Sequence, residues 1–343
     1  MIMKFTDDLS EMIVHAQGNE LAQLFAHDTT DSGERTYTQP DSKTMHVITF
    51  KNPVLVTDNY KINLLTPEHS KETRDQHVFV PNINGISMDP PHSVLRDVVH
   101  KLFESPKKTT IYGNTQLEFE QGKFNSVWGP SIDTLLFCNA IRTENIKGNL
   151  DHVKRAIEIG PGSGFISKYL LNNLPNLEEM TLIDLNEEST NCARESIDDP
   201  RTIFEVGDGL KYLEKRKFDL IVCNPPYIPR MDSSDDNPYE GIRVLEYLIR
   251  NTTTHTTPGG IILTNVSSLC EDYAREAIQQ TKAYQKITAE YIKSLDVPLK
   301  VFNVAFNKKW TEYLKDKHHL IDRYKNGHSF WQTINIAKIQ NCE

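Results

Sequence analysis

Hydrophobic positions change rhythm part-way along the chain. Near the start, Leu9, Met12, Ile13, Leu21 and Leu24 fall at mostly helical spacing, which predicts an amphipathic helix from Asp8 to Phe25. The polar stretch HDTTDSGERTYTQPDSKT follows and reads as a loop. Short β-rich segments come next, at 46–50, 53–57, 60–65 and 77–80, separated by Asn, Asp and Pro. Val94, Val98, Leu102 and Phe103 share one face of a predicted helix from Ser93 to Phe103, and TIYG with LEFEQGKFN reads as a hairpin around Gln121–Gly122. The DPPH tetrapeptide, Asp89–His92, is a turn leading into that helix.

From Ile132 onward, helices and strands alternate. A helix at 132–142 precedes strand 156–160. Strands at 180–184, 202–207, 218–224 and 260–266 then follow, each after a helical segment. A helix from Tyr273 leads to KVFNVAF (300–306), and FWQTINIAKI (330–339) is the last strand. The alternation predicts an α/β domain with a doubly wound, mostly parallel sheet and an antiparallel C-terminal edge strand. The expected organisation is a β-rich α+β substrate-recognition or dimerisation region over 1–109, a hairpin and linker over 110–131, and a nucleotide-binding domain over 132–343.

Composition narrows the partners. The chain of 343 residues has length for two domains. Its 38 basic and 47 acidic residues give a net charge of -9, which disfavours a surface that grips phosphates, so nucleic acid is not the expected partner. No apolar run is long enough to cross a membrane, and the first residues lack the basic start of a signal peptide, so a cytoplasmic location is expected. The five cysteines form no CxxC pair, so no metal site is expected and they read as packed thiols. A homodimer is compatible with all of this.

IEIGPGSGFIS sets Glu158, Gly160, Gly162 and Gly164 between a strand and a helix. Glycines let backbone approach a ligand closely and take up turns closed to other residues. About twenty residues on, Asp184 ends the second strand, where a carboxylate can accept from both ribose hydroxyls. Gly207–Asp208 ends the third, where Asp208 can accept from an adenine amino group. Pro161, Leu185 and Gly209 adjoin these positions and complete the expected nucleoside-binding set. The spacing is GxGxG, whereas a dinucleotide loop reads GxGxxG. The structural alternatives are a tight turn for the glycines and helix caps for the two aspartates.

The fourth strand ends in NPPY, Asn224–Tyr227. An asparagine there offers a side-chain carbonyl, and Pro225 a backbone carbonyl without a competing N–H. Two carbonyls can accept both protons of one planar –NH2, aiming its lone pair, while Tyr227 offers a flat face for stacking. Pro226 completes the substrate-side turn, and Arg230 is the cation best placed to meet an acidic substrate group. The alternative is a Pro-Pro turn that merely ends a strand. The acidic run DSSDD (232–236) is either a lid or a solvated loop. His318–His319 read as surface residues of a charged helix, and His328 and Trp331 flank the last strand.

EIGPGSG, FDLIVCNPPYIP and YEGIRVLEYLIR together resemble the NPPY group of class I methyltransferases, in particular the HemK-type protein-glutamine N5-methyltransferases, over residues 110–343. The resemblance implies a Rossmann-like sheet, S-adenosylmethionine as cofactor, and N-methylation of a planar amide or amino nitrogen. It implies that Trp128, Pro130 and Thr134 border the cofactor, and that Asn224 and Tyr227 hold the target. Two departures separate this chain from the family. Residues 1–109 look β-stranded where the family has a small helical domain that docks a release factor. VWGPSIDT also replaces the usual Pro-Arg-Pro-acid-Thr run. The acceptor expected here is a small molecule or peptide in a biosynthetic pathway, with a protein glutamine as the alternative and a nucleic-acid base behind both. A nicotinamide-dependent oxidoreductase has no use for NPPY, and a non-catalytic relative has no reason to retain it.

Overall fold

The computed structural model describes residues 1–17, 20, 45–51, 62–65, 82–83, 86–87, 107–229, 242–299, 308–325 and 328–343. They divide into two units, Met1–Lys123 with Lys325–Gly327, and Phe124–Tyr324 with His328–Glu343.

The first unit carries a six-stranded sheet built from β1 (Ile2–Phe5), β2 (Glu11–Gln17), β3 (Met45–Lys51), β4 (Ile62–Leu65), β7 (Lys107–Tyr112) and β8 (Thr115–Glu120). Its order is β4-β3-β2-β1-β7-β8, with β1 and β7 parallel and the other neighbours antiparallel. Two-residue strands β5 (Asn82–Ile83) and β6 (Ile86–Ser87) pair with each other. The helix expected from Asp8 is absent over Glu11–Gln17, which forms strand β2. Met12, Val14 and Ala16 are buried alternately with their neighbours, a period of two that serves a strand hydrogen-bonded on both sides. The hairpin turns at Gly113–Asn114 instead of Gln121–Gly122, because β7 and β8 pair from Lys107–Glu120 up to Tyr112–Thr115 and Gly113 takes a φ of 57°. The segments at 53–57 and 77–80 and the helix at 93–103 lie outside the described residues.

The second unit is the α/β domain read from the sequence. Its first part runs α1 (Ile132–Ile146), β9 (Arg155–Ile159), α2 (Phe165–Asn173), β10 (Glu179–Asp184), α3 (Glu187–Ser196), β11 (Thr202–Val206), α4 (Gly209–Leu213) and β12 (Phe218–Cys223). Then come α5 (Ile242–Arg250), α6 (Thr252–His255), β13 (Thr256–Ser267), α7 (Glu271–Lys282), β14 (Ile287–Pro298), α8 (Lys308–Lys317), β15 (Ile321–Lys325) and β16 (His328–Asn341). Sheet order is β11-β10-β9-β12-β13-β16-β14, with β15 paired to β16. Five strands are parallel, and β16 runs antiparallel to both of its neighbours. The antiparallel C-terminal addition therefore has two main strands, β16 inserted beside β13 and β14 taking the edge. β14 was not expected, and the segment at 300–306 lies outside the described residues.

Core residues Ile157, Phe218, Ile221, Ile262, Leu248 and Ile339 pack between sheet and helices. Glu144 ties α1 to this core through Lys338 of β16, whose Nζ donates to it at 2.8 Å. Among the described residues, no helix is long and apolar enough to cross a membrane, and no cluster of His, Cys, Asp and Glu has the makings of a metal site. Cys138, Cys192, Cys223 and Cys270 are buried and Cys342 is exposed.

Candidate active site

The chain leaves β9 for β10 and β11 on one side, then returns to start β12 on the other. In doubly wound sheets a crevice opens at such a switch, outside the carboxyl ends of the strands. Register decides what stands there. Ile159 pairs with Ile183 and with Cys223, and Cys223 pairs with Thr264. The next residues, Asp184, Gly160, Asn224 and Asn265, therefore stand side by side along the carboxyl edge. Two strand spacings, about 10 Å, separate Asp184 from Asn224.

The glycine loop is built for close approach. Gly160, Gly162 and Gly164 take φ values of 71°, 53° and 81°. A Cβ at Gly160 would meet nothing within 4 Å, so its strand-end faces open space, whereas one at Gly162 would lie 3.0 Å from the Trp128 carbonyl. Gly164, the N-cap of α2, packs against Ala193 of α3 and so serves helix packing. The segment before α1 roofs the loop: Ser163 N–H donates to the Trp128 carbonyl at 3.2 Å. Glu188 of α3 holds the same segment, accepting from the backbone N–H groups of Asn125 (3.0 Å) and Ser126 (2.9 Å) and from the Ser126 hydroxyl.

Glu158 is buried beneath this loop, where its carboxylate accepts from the Ser167 backbone N–H at 2.9 Å and from the Ser167 hydroxyl. Burial, reinforced by the nearby Asp184 charge, pushes its pKa up to about 8 against the Ser167 hydrogen bonds. Asp184 accepts from Asn186 N–H (2.9 Å) and the Ser189 hydroxyl (2.6 Å), which fixes its carboxylate at the edge. Asp208 caps α4, accepting from Leu210 N–H at 2.9 Å. Gly209 is required by packing, since a Cβ there would lie 2.7 Å from Ile159 Cγ2 and 3.3 Å from Ile183 Cγ2. Gly209→Ala is expected to cost about 1–3 kcal/mol of stability by overpacking, read by urea denaturation.

Across the row, Asn224 is partly buried. Its Oδ1 accepts from Asn265 Nδ2 at 3.0 Å, and its Nδ2 lies 3.4 Å from Asp133 Oδ2. Tyr227 Oη lies 3.4 Å from the same carboxylate oxygen. Pro225 is buried and Pro226 exposed. Burial and the Asp133 carboxylate hold the Tyr227 phenol well above its usual range. The Pro229 carbonyl accepts from Trp310 Nε1 at 2.7 Å, so α8 braces the segment that follows NPPY; Leu269, Leu314 and Leu320 pack with Ile228 and Tyr313 beneath it.

Sequence reasoning missed Asp133, Asn265, Glu188 and Trp310, because their proximity depends on register and on loops that close over long separations. The Thr134 hydroxyl accepts from Ser131 N–H at 3.2 Å and caps α1. Pro130 is buried beside that cap and Trp128 is exposed. Arg230 and the 232–236 run lie outside the described residues. His318 corrects the expectation of a surface histidine. It sits buried after the end of α8, its Nδ1 3.1 Å from the Leu269 carbonyl and its ring near Tyr273 and Tyr313. His319, at a φ of 54°, is exposed. Trp331 is buried.

Residues 134–289 match the family described as methyltransferase small domain. Over these residues the unit is similar to the HemK-like class I methyltransferases. Methyltransferase HEMK2 of Mus musculus is 31% identical over 125 residues, 35% of this chain and 56% of that protein. The release factor glutamine methyltransferase of Streptococcus pneumoniae is 34% identical over 107 residues, 31% of this chain and 37% of its own length. The chain thus spans about half or less of these relatives. A putative SAM-dependent methyltransferase from Streptococcus mutans shares 13% identity over 72% of this chain and 65% of its own, with a TM-score of 0.41, too distant a likeness to argue from.

S-adenosylmethionine is the cofactor of such methyltransferase domains, and the crevice fits it. Gly160 leaves room for backbone-close atoms, and Asp184 offers a fixed carboxylate at the edge beside it that a ribose would find as an acceptor. Trp128, Leu185 and Val206 expose 77%, 65% and 51% of their surface at the same edge, apolar area that an adenine ring would cover.

Proposed function

We infer that this protein transfers a methyl group from S-adenosylmethionine to a planar amide nitrogen, that of a glutamine side chain in a peptide or protein. The observation that carries this reading is the alignment of Asn224 with Gly160 across neighbouring strands, which sets a carbonyl pair beside the glycine loop. Relatives named as glutamine methyltransferases favour the amide over other nitrogens.

Gly160, Gly162, Asp184, Leu185, Asp208 and the buried Glu158 hold the cofactor, and Trp128 covers it from the roofing segment. When bound, the sulfonium supplies a methyl group already activated for attack by nitrogen. The chain's task is then to position the acceptor. Asn224 Oδ1 keeps a lone pair beyond the bond from Asn265, since a carbonyl accepts twice, and Pro225 adds a carbonyl with no N–H of its own. Accepting both amide protons draws electron density onto the nitrogen and restrains its rotation. Tyr227, held through its hydroxyl, gives the planar group a face to lie on. The net charge of -9 speaks against a nucleic-acid base.

Calorimetry is expected to register binding of S-adenosylmethionine and S-adenosylhomocysteine but not NAD. With methyl-labelled cofactor, peptides bearing one internal glutamine should take up label, while peptides with asparagine, glutamate or lysine at that position should not. Labelling of the lysine peptide alone would overturn the amide reading.

A further inference from the structure

An asparagine amide is nearly symmetric in shape, so something must decide which end of Asn224 faces the acceptor. The two orientations differ by a half-turn about a soft torsion, and only one presents a carbonyl. Asn265 does not decide between them. It is fully buried on β13, it can donate or accept, and its own Oδ1 has no hydrogen-bond partner among the described residues. If both amides turned over, Asn224 Nδ2 could donate to that orphaned oxygen and the pair would be no worse bonded. The group that breaks the tie is Asp133. Its Oδ1 is anchored by the Ser131 hydroxyl at 2.9 Å, at the start of α1. Its Oδ2 faces Asn224 Nδ2 and Tyr227 Oη, each at 3.4 Å. An ionised carboxylate only accepts, so an amide oxygen turned towards it is repelled and an amide N–H is drawn in.

We propose that Asp133 is a positioning residue for methyl transfer, whose carboxylate locks Asn224 with its NH2 turned to Asp133 and its carbonyl turned away, leaving that carbonyl to accept and so restricting acceptors to groups that present an N–H. Asn265 then follows, donating to the fixed carbonyl, and the Tyr227 hydroxyl donates to the same carboxylate, which keeps its ring in register with the amide. The role rests on the N-methylation reading above but reaches beyond it. Two mutually flippable amides next to a glycine loop cannot define an acceptor site, and one carboxylate at the start of α1 makes them a directional chain.

The test uses full-length protein with Asp133→Ala, Asp133→Asn and Asn224→Ala. With the internal-glutamine peptide and labelled S-adenosylmethionine, Asp133→Ala should lower kcat on the order of 10- to 100-fold, with peptide KM and cofactor affinity little changed, as expected when a reacting group is misaimed. Asp133→Asn, which can still turn a carbonyl to Asn224, should recover part of the loss; a purely structural role at the α1 cap would instead lower thermal stability and spare kcat. A second readout needs no acceptor. In side-chain amide 15N–1H spectra, the Asn224 NH2 pair should lose its shifted, exchange-protected signals in Asp133→Ala, and in Asp133→Asn, which serves if the alanine variant does not fold, the pair should shift and exchange faster than in wild type without being lost. Wild-type kcat in Asp133→Ala beside an inactive Asn224→Ala would overturn this role and leave the N-methylation reading standing. If the wild-type protein labels no peptide, that reading falls instead, and unchanged Asn224 amide signals in the Asp133 variants would still overturn the positioning role.

Discussion

Replacing Asn224 with alanine is expected to lower kcat on the order of 100- to 1000-fold while S-adenosylhomocysteine binds within about twofold of wild type. The loss is large because, in the proposed reaction, the side chain accepts from the nitrogen on which charge is redistributed; the pairing of Ile159 with Cys223 sets it level with the glycine loop. Binding is spared because the residues expected to hold the nucleoside lie on the other strand-ends. Asp184 is fixed by Asn186 and Ser189, and Glu158 by Ser167. Stability should fall modestly, since Asn224 is only partly buried, although the fully buried Asn265 loses its hydrogen bond to Asn224. Titration calorimetry and labelled-methyl transfer on one preparation separate the two effects. Equal loss of binding and turnover would mean that Asn224 belongs to the cofactor site and not to the acceptor site.

The parts of this site that were legible in the sequence are those fixed by local chemistry. Gly160 and Gly162 stand out because their positive φ values exclude other residues, and NPPY stands out because two prolines end a buried strand abruptly. The alternation of helix and strand from α1 to β13 follows from apolar runs too short to be anything else. Where several periods fit, the sequence misled. Met12, Val14 and Ala16 suit a strand, yet Leu9, Met12, Ile13, Leu21 and Leu24 also trace a helical face, and only pairing with β1 and β3 settles the matter. β14 was hidden by its composition: Glu290, Lys293, Ser294 and Asp296 lie on an edge strand open to solvent, so no apolar alternation announces it, and its order comes from pairing with β16 along its whole length. Asp133 lies ninety-one residues from Asn224, and no local pattern distinguishes it from any acid in the first turn of a helix.

Glu158→Gln is expected to pull stability and cofactor affinity in opposite directions, each with its own pH dependence. The folded-state pKa of Glu158, about 8, stands above the ordinary glutamate value of 4.5 because burial disfavours the charged form. Below pH 4.5 the carboxyl is protonated folded and unfolded, and its contribution is fully present. Between 4.5 and 8 the unfolded chain releases the proton while the folded protein keeps it, so stability is lost as pH rises, by on the order of 4–5 kcal/mol once pH passes 8. Glutamine cannot ionise, yet its carbonyl can accept from Ser167 in the same place. The variant should therefore match wild type near pH 5 and exceed it by several kcal/mol at pH 9 in urea unfolding. A bound cation reverses the preference. The ammonium and sulfonium of S-adenosylmethionine favour an ionised Glu158, so wild-type affinity should climb between pH 6.5 and 8.5, whereas the glutamine variant should bind more weakly with no such climb. An equal stability difference at pH 5 and pH 9 would show that the carboxylate is charged throughout, and the account of its burial would fail. If the opposing trends are found, the unfavourable burial of Glu158 in the free protein is strain that cofactor binding relieves, which explains why an acid stands beneath a glycine loop where a neutral side chain would make the fold more stable.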